Sequence, residues 1–163
     1  MPRPSSPMTD LASTMQRLWT RLAPRPGGAW LFSLVMGRVV PYTGALGARV
    51  LVLEPGFCQV TLADRRGVRN HLHSIHAVAL VNLGEMTSGL AMTMALPPGV
   101  RGIVTSIGAD YLRKARGLLT AEARVSVPEV GAEPVDTRVE TIIRNEAGEV
   151  VSRVHTIWRL QRA

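Results

Sequence analysis

The chain has almost none of several residue types whose presence would narrow its function early. One cysteine, Cys58, stands among 163 residues. That excludes an internal disulfide framework, points to a reducing, cytoplasmic compartment, and gives the thiol the role of a small buried hydrophobe. Aromatic residues make up only 4% of the sequence, so the stacking platforms that hold single-stranded nucleic acid are missing. No apolar run approaches the ~20 residues that span a bilayer. The longest early one, Ala29 to Met36, stops at Gly37 and Arg38, and no signal-peptide cleavage pattern follows it. Lysine is nearly absent too: Lys114 is the sole one, against eighteen arginines. The net charge of +7 is compatible with nucleic acid, an anionic membrane or a phosphate-bearing ligand. The basic residues are scattered, however, and nucleic-acid binding has little beyond that charge behind it.

What is present suffices for one domain with a core, since 46% of the residues are hydrophobic and the length is too short for two ordinary domains. Met1 to Pro7 is rich in proline and serine and is expected to be disordered. Asp10 can cap a short amphipathic helix through Leu11, Met15, Leu18 and Leu22, broken by Pro24-Arg25-Pro26-Gly27-Gly28. A second helical stretch, Ala29 to about Val39, ends at Pro41, with its apolar residues expected to pack on the sheet; an interfacial membrane role is the second choice. Residues 1–43 thus read as a tail and helical extension, and residues 44–163 as a single α+β domain. In that domain Ala48 to Glu54 and Cys58 to Ala63 form a hairpin around Glu54-Pro55-Gly56. After a polar loop and a long helix stopped by Pro97-Pro98-Gly99, the strands are Gly102 to Leu112, Leu118 to Val127, Val135 to Arg144 and Glu149 to Leu160. Helix early and sheet late is an α+β order.

The long helix carries the most informative spacing. Leu80, Leu83, Thr87, Leu90 and Met94 recur at helical intervals, with Ser74 available as N-cap and the run expected to extend from Ser74 to about Leu96. Asn70 lies six residues before His76, and Glu85 nine residues after it. On an α-helix those nine residues amount to about 13 Å of rise and roughly half a turn of phase. One chain cannot bring His76 and Glu85 together, whereas two antiparallel copies across a two-fold axis can. The spacing therefore predicts a homodimer with paired sites, alone or as a dimer of dimers.

At Asn70, His76-Ala77-Val78 and Glu85 the chain resembles the hot-dog-fold acyl-coenzyme A thioesterases, in particular the phenylacetate-pathway branch and allied uncharacterised hot-dog domains. The likeness runs in order and length from about Gly44 to Leu160. It implies a long central helix wrapped by five or six antiparallel strands, and an acidic residue that activates water or attacks the thioester carbonyl. It also implies glycines where this chain has Ala77 and Val78, and often a glycine where it has His73. On the following strand it implies a Ser or Thr that positions water. The nearest register here is Val104, which leaves Thr105 beside it as the candidate.

The residues can be weighed on their own chemistry. Glu85 suits a general base if it is partly desolvated; the alternative is a solvated helix glutamate, but its helical neighbours Val81, Asn82, Ser88 and Gly89 are small or amide-bearing and fit a crowded pocket. The Ala77 N–H, in the unpaired first turn, can donate to a developing oxyanion, with Val78 beside it where substrate would approach. His76 can bond the thioester or the departing thiol, or simply cap the helix. Asn70 can hold water or the carbonyl, or serve as an ordinary turn residue. Arg113, Lys114 and Arg116 form a basic cluster able to meet the phosphates of coenzyme A, or a solvated turn between strands. His71, His73 and His76 raise a metal site, which is set aside because no cysteine or second acidic cluster lies at ligand spacing; no metal and no cofactor are expected. The reading is an acyl-coenzyme A thioesterase, with a non-hydrolytic acyl-thioester binding protein as the alternative, motivated by His73, Val78 and Val104.

Overall fold

The computed structural model describes residues 7–162, with side chains from residue 13 onward. Most of the stretch expected to be disordered therefore lies outside the described residues. Helix α1 (Pro7–Leu22) begins three residues ahead of the expected Asp10 cap; α2 (Gly28–Val39) and the short α3 (Pro41–Gly44) follow. Next come β1 (Arg49–Glu54), β2 (Phe57–Leu62), the long helix α4 (Ala77–Ala95), β3 (Val100–Tyr111), β4 (Leu119–Arg124), β5 (Val135–Arg144) and β6 (Val150–Arg162).

The six strands make one antiparallel sheet in the order β1-β2-β4-β5-β6-β3. Turn chemistry sets its hairpins. Gly56 takes φ +78° between β1 and β2, the left-handed conformation that glycine adopts without a Cβ penalty. Between β5 and β6, Asn145 Oδ1 accepts the amides of Ala147 and Glu149 at 3.1 and 2.9 Å, an Asx-type turn. Helix α4 lies in the concavity and packs against all six strands. Leu80, Leu83, Thr87, Leu90, Ala91 and Met92 are buried there against Val60, Leu62, Leu119, Ile143 and Val154. The closest approach is at Gly84, where any Cβ would overlap the Val154 side chain and whose carbonyl accepts the buried Thr141 hydroxyl at 2.9 Å.

The N-terminal helices close the open side of this arrangement. Phe32 of α2 is fully buried and meets Trp19 of α1 edge-on, with centroids 5.0 Å apart. Ser33 ties α2 to the sheet: its hydroxyl donates to Ala29 O at 2.8 Å and accepts the Val50 amide at 2.9 Å. Gln16 of α1 reaches the Thr93 carbonyl of α4 at 3.4 Å. Among the described residues no helix is long and apolar enough to cross a membrane.

Candidate active site

The start of α4 is built by Asn70. Its Oδ1 accepts the amides of Leu72 and Ser74 at 2.9 and 3.2 Å, while its own N–H donates to Ser74 O at 2.8 Å. The tight loop so formed places His73 at φ +54°, uncommon outside glycine but more accessible to histidine than to most residues. Backbone bonds from Ile75 N to Ala115 O and from His76 N to Val68 O, both 2.8 Å, hold the exit of the loop extended. The helix consequently begins at Ala77, and the expected Ser74 cap is corrected. Ser74 is buried in the loop with a hydroxyl that has no partner among the described residues, and His76 caps instead, its Nδ1 accepting the Val78 amide at 3.1 Å. In a neutral imidazole this acceptance puts the proton on Nε2, free to donate. The Ala77 N–H, first in the helix, has no intrahelical acceptor.

Glu85 lies two and a half turns further on and faces elsewhere. Because Gly84 is pressed to the sheet, its neighbour is turned out of the core into a cavity of about 620 Å³ between α2, α3, β1 and α4. A chain of hydrogen bonds fixes the backbone there. Trp158 Nε1 donates to Thr156 Oγ1 (3.0 Å), that hydroxyl to Ser88 Oγ (3.2 Å), and Ser88 Oγ to the Glu85 carbonyl (2.9 Å). The Glu85 carboxylate is half-buried and has no cation or hydrogen-bond donor paired with it among the described residues. Burial without a counter-charge pushes its pKa above the ordinary carboxylate range.

One chain thus holds the two halves of the expected site apart. His76 and Val78 line a smaller cavity of about 240 Å³ with Asn82, Val68 and Tyr42, whereas Glu85 lines the larger one; Asn70 lines neither. The basic cluster falls on the side of Asn70, because Ala115 anchors Ile75 and Arg116 donates to Leu72 O at 3.3 Å. Lys114 is exposed there, and Arg113 is exposed and 3.7 Å from Glu149. Thr105 sits at a bulge between Val104 and Ser106 in β3; it is exposed, bonds Ile157 O at 3.3 Å and lines neither cavity, while Val104 packs toward the core.

The sequence reading missed the wall opposite Glu85. Trp30, Leu34 and Val40 of the N-terminal helices, with Trp158 of β6, face the carboxylate's cavity, and the exposed Arg38 and Arg49 stand at its rim. The i,i+4 pair Trp30 and Leu34 on α2 was the available signal; it was assigned to packing on the sheet, a role that falls to Phe32.

A family model described as "Domain of unknown function (DUF4442)" matches residues 28–160. No curated protein matches the chain in sequence. Among solved structures the chain is similar to the structural-genomics protein APC5556, with 25% identity and a TM-score of 0.77 over 97% of this chain and 100% of that one. It is also similar to a Pseudomonas aeruginosa protein of unknown function named a probable thioesterase, at 23% identity and a TM-score of 0.71 over 80% and 93%. A thioesterase from Haemophilus influenzae follows at 18% identity and a TM-score of 0.65 over 74% and 82%. These likenesses make the helix-in-sheet arrangement a hot-dog fold. Matched over 28–160 of its residues, the chain belongs to the DUF4442 family.

Proposed function

We propose that the protein hydrolyses acyl thioesters, acyl-coenzyme A in the first instance, at paired sites shared between two subunits. The observation that carries this reading is Glu85, a half-buried carboxylate without a partner among the described residues, in the wall of an apolar cavity. Such a group accepts a proton more readily than an exposed glutamate, which is what a general base near neutral pH requires. Water loses a proton to Glu85 and attacks the thioester carbon. The developing oxyanion is met by the Ala77 N–H at the positive end of α4 of the partner and by the Asn70 amide NH₂, whose Oδ1 is already engaged in the loop. The C–S bond then breaks and the thiolate takes the proton that Glu85 accepted, while His76 Nε2–H donates a hydrogen bond to the departing sulfur, giving a carboxylic acid and a free thiol and returning Glu85 to its carboxylate. Direct attack by the Glu85 carboxylate on the carbonyl is the variant in which it serves as nucleophile.

The dimer is part of the proposal. Strand β3 is one of the two edges of the sheet and exposes Ile103, Ile107 and Tyr111 along twelve residues. A long apolar edge of that kind is a surface that proteins cover, and a second copy pairing along β3 would cover it while bringing one chain's helix start toward the other's Glu85. The names of the Pseudomonas and Haemophilus proteins support the chemistry by fold analogy only. Arg113, Lys114 and Arg116, beside the Asn70 loop, are assigned to the phosphates of the thiol carrier.

One observation favours a second reading. Val78 is 53% exposed and puts an isopropyl group into the cavity at the helix start, where close approach of a substrate would favour glycine. A protein that binds acyl thioesters without turning them over would tolerate this. The deciding experiment is a panel of acyl-coenzyme A substrates with detection of released thiol. Steady release that depends on Glu85 supports hydrolysis; saturable binding with no release supports the binding protein.

A further inference from the structure

We propose that the cavity between the N-terminal helices, β1 and α4 is the seat of a long aliphatic acyl chain, and that the N-terminal helices set the length accepted. The inference rests on the Glu85 reading above for the position of the thioester carbon. The choice of acyl class comes from the cavity itself.

Its volume of about 620 Å³ lies within the ~300–1,000 Å³ typical of pockets that bury most of a drug-sized ligand, far more than an acetyl group needs. Trp30, Leu34, Val40, Met86, Leu90 and Trp158 give it an apolar surface, and Met15 of α1, only 4% exposed, adds a buried thioether to the lining. The polar groups that line it are largely engaged. Of three hydroxyls, that of Ser33 bonds Ala29 O and the Val50 amide, and that of Thr93 bonds Gly89 O at 2.7 Å. Away from Glu85, Thr43 and the arginines at the rim, a hydroxylated or amide-bearing acyl group would find few partners for its polar atoms, a loss that discriminates against it; an alkyl chain asks for no partner. The concavity depends on a close approach of α3 to α2: a Cβ on Gly44 would overlap the Gly37 carbonyl, so the wall bends where those two glycines meet. Arg38 and Arg49 stand exposed at the rim, where their positive charge attracts an anionic acyl thioester toward the cavity.

The test is a saturated acyl-coenzyme A series from acetyl to palmitoyl, with benzoyl-coenzyme A beside it. The expected kcat/KM rises about fourfold for each methylene buried until the cavity is filled. Leu34→Trp, which narrows the cavity at a partly exposed position, shifts the optimum to shorter chains and lowers the ratio of long-chain to short-chain kcat/KM at least tenfold. A flat series, a preference for benzoyl, or an optimum that Leu34→Trp leaves in place would overturn the proposal. Binding of lauric acid, followed by the fluorescence of Trp30 and Trp158, separates this inference from the hydrolytic one. Saturable binding weakened by Leu34→Trp, in a protein that releases no thiol from any substrate, refutes hydrolysis and upholds the acyl seat. Hydrolysis without chain-length dependence or lauric acid binding upholds hydrolysis and refutes the seat. The wild-type series and the lauric acid titration decide the matter even if the variant fails to fold.

Discussion

Replacing Glu85 by glutamine removes a proton acceptor while keeping shape, and the structure fixes what should happen to rate, stability and pH dependence together. If Glu85 is the base, kcat falls on the order of 10²–10⁴-fold, equivalent to roughly 2.7–5.4 kcal/mol of barrier. Stability moves the other way. The folded pKa of Glu85 is raised by burial, so the protonated form is the one that folding favours. Its stabilising contribution is fully present below the unfolded pKa, near 4.3 for an ordinary glutamate, and is lost as pH rises through the higher folded value. Glutamine cannot ionise and escapes that loss. Wild type and variant should therefore melt together at pH 4, with the variant gaining as pH rises toward neutrality. The acid limb of kcat/KM in the wild type should lie above the ordinary carboxylate range and be absent from whatever activity the variant retains. Differential scanning fluorimetry across pH 4–8 and a thiol-release assay over the same range read both effects. A variant that turns over within about threefold of the wild type, or one that keeps the acid limb, would remove Glu85 from proton transfer.

Gly84→Ala should destabilise the protein by ~1–3 kcal/mol or more, because the new methyl meets the Val154 side chain and α4 must retreat from the sheet; a Tm unchanged in a thermal melt would contradict that packing. Cys58 is fully buried and burial pushes its thiol pKa up to about 12, so an aromatic disulfide reagent at pH 8 should label it only after denaturation. Rapid labelling of the native protein would show that β2 opens.

The sequence made the spacing of Asn70, His76 and Glu85 visible because helix period and loop length act locally, and the strands likewise announced themselves by alternation and by turns such as Glu54-Pro55-Gly56. Local signals failed where a tertiary contact decided the outcome. Ser74 is a good cap by residue type, yet the bonds of Ile75 and His76 to Ala115 and Val68 keep the chain extended for two more residues and hand the cap to His76. Counting along β3 reaches Val104, with Thr105 beside it, and the bulge between Val104 and Ser106 makes such counting uncertain by one residue, which is enough to exchange faces. The cavity wall was illegible for a different reason. An apolar stripe on α2 looks the same whether it covers a sheet or lines an empty space, and only the fold separates Phe32, which packs, from Trp30 and Leu34, which do not.

The separation of Glu85 from the Asn70 loop within one chain can be turned into a test of the shared site. Asn70→Ala unmakes the loop that sets the helix start, and Glu85→Gln removes the base, so each homodimer should be nearly inactive. Mixing the two by co-refolding gives heterodimers as half of the population. In each heterodimer one site combines the intact Asn70 loop of the Glu85→Gln subunit with the intact Glu85 of the Asn70→Ala subunit, while the other site carries both lesions. Random pairing across a two-fold interface therefore restores about one quarter of wild-type activity, measured against the same total protein. A site contained within a single chain has no such route, since every copy then carries one lesion in its own site, and the mixture would stay at the level of the separate variants. Mixing without unfolding should restore activity only as fast as subunits exchange, which links the recovery to the interface along β3. A recovery absent under conditions where mass spectrometry detects the heterodimer would confine the chemistry to one subunit, and the nine-residue offset between His76 and Glu85 would then need another explanation.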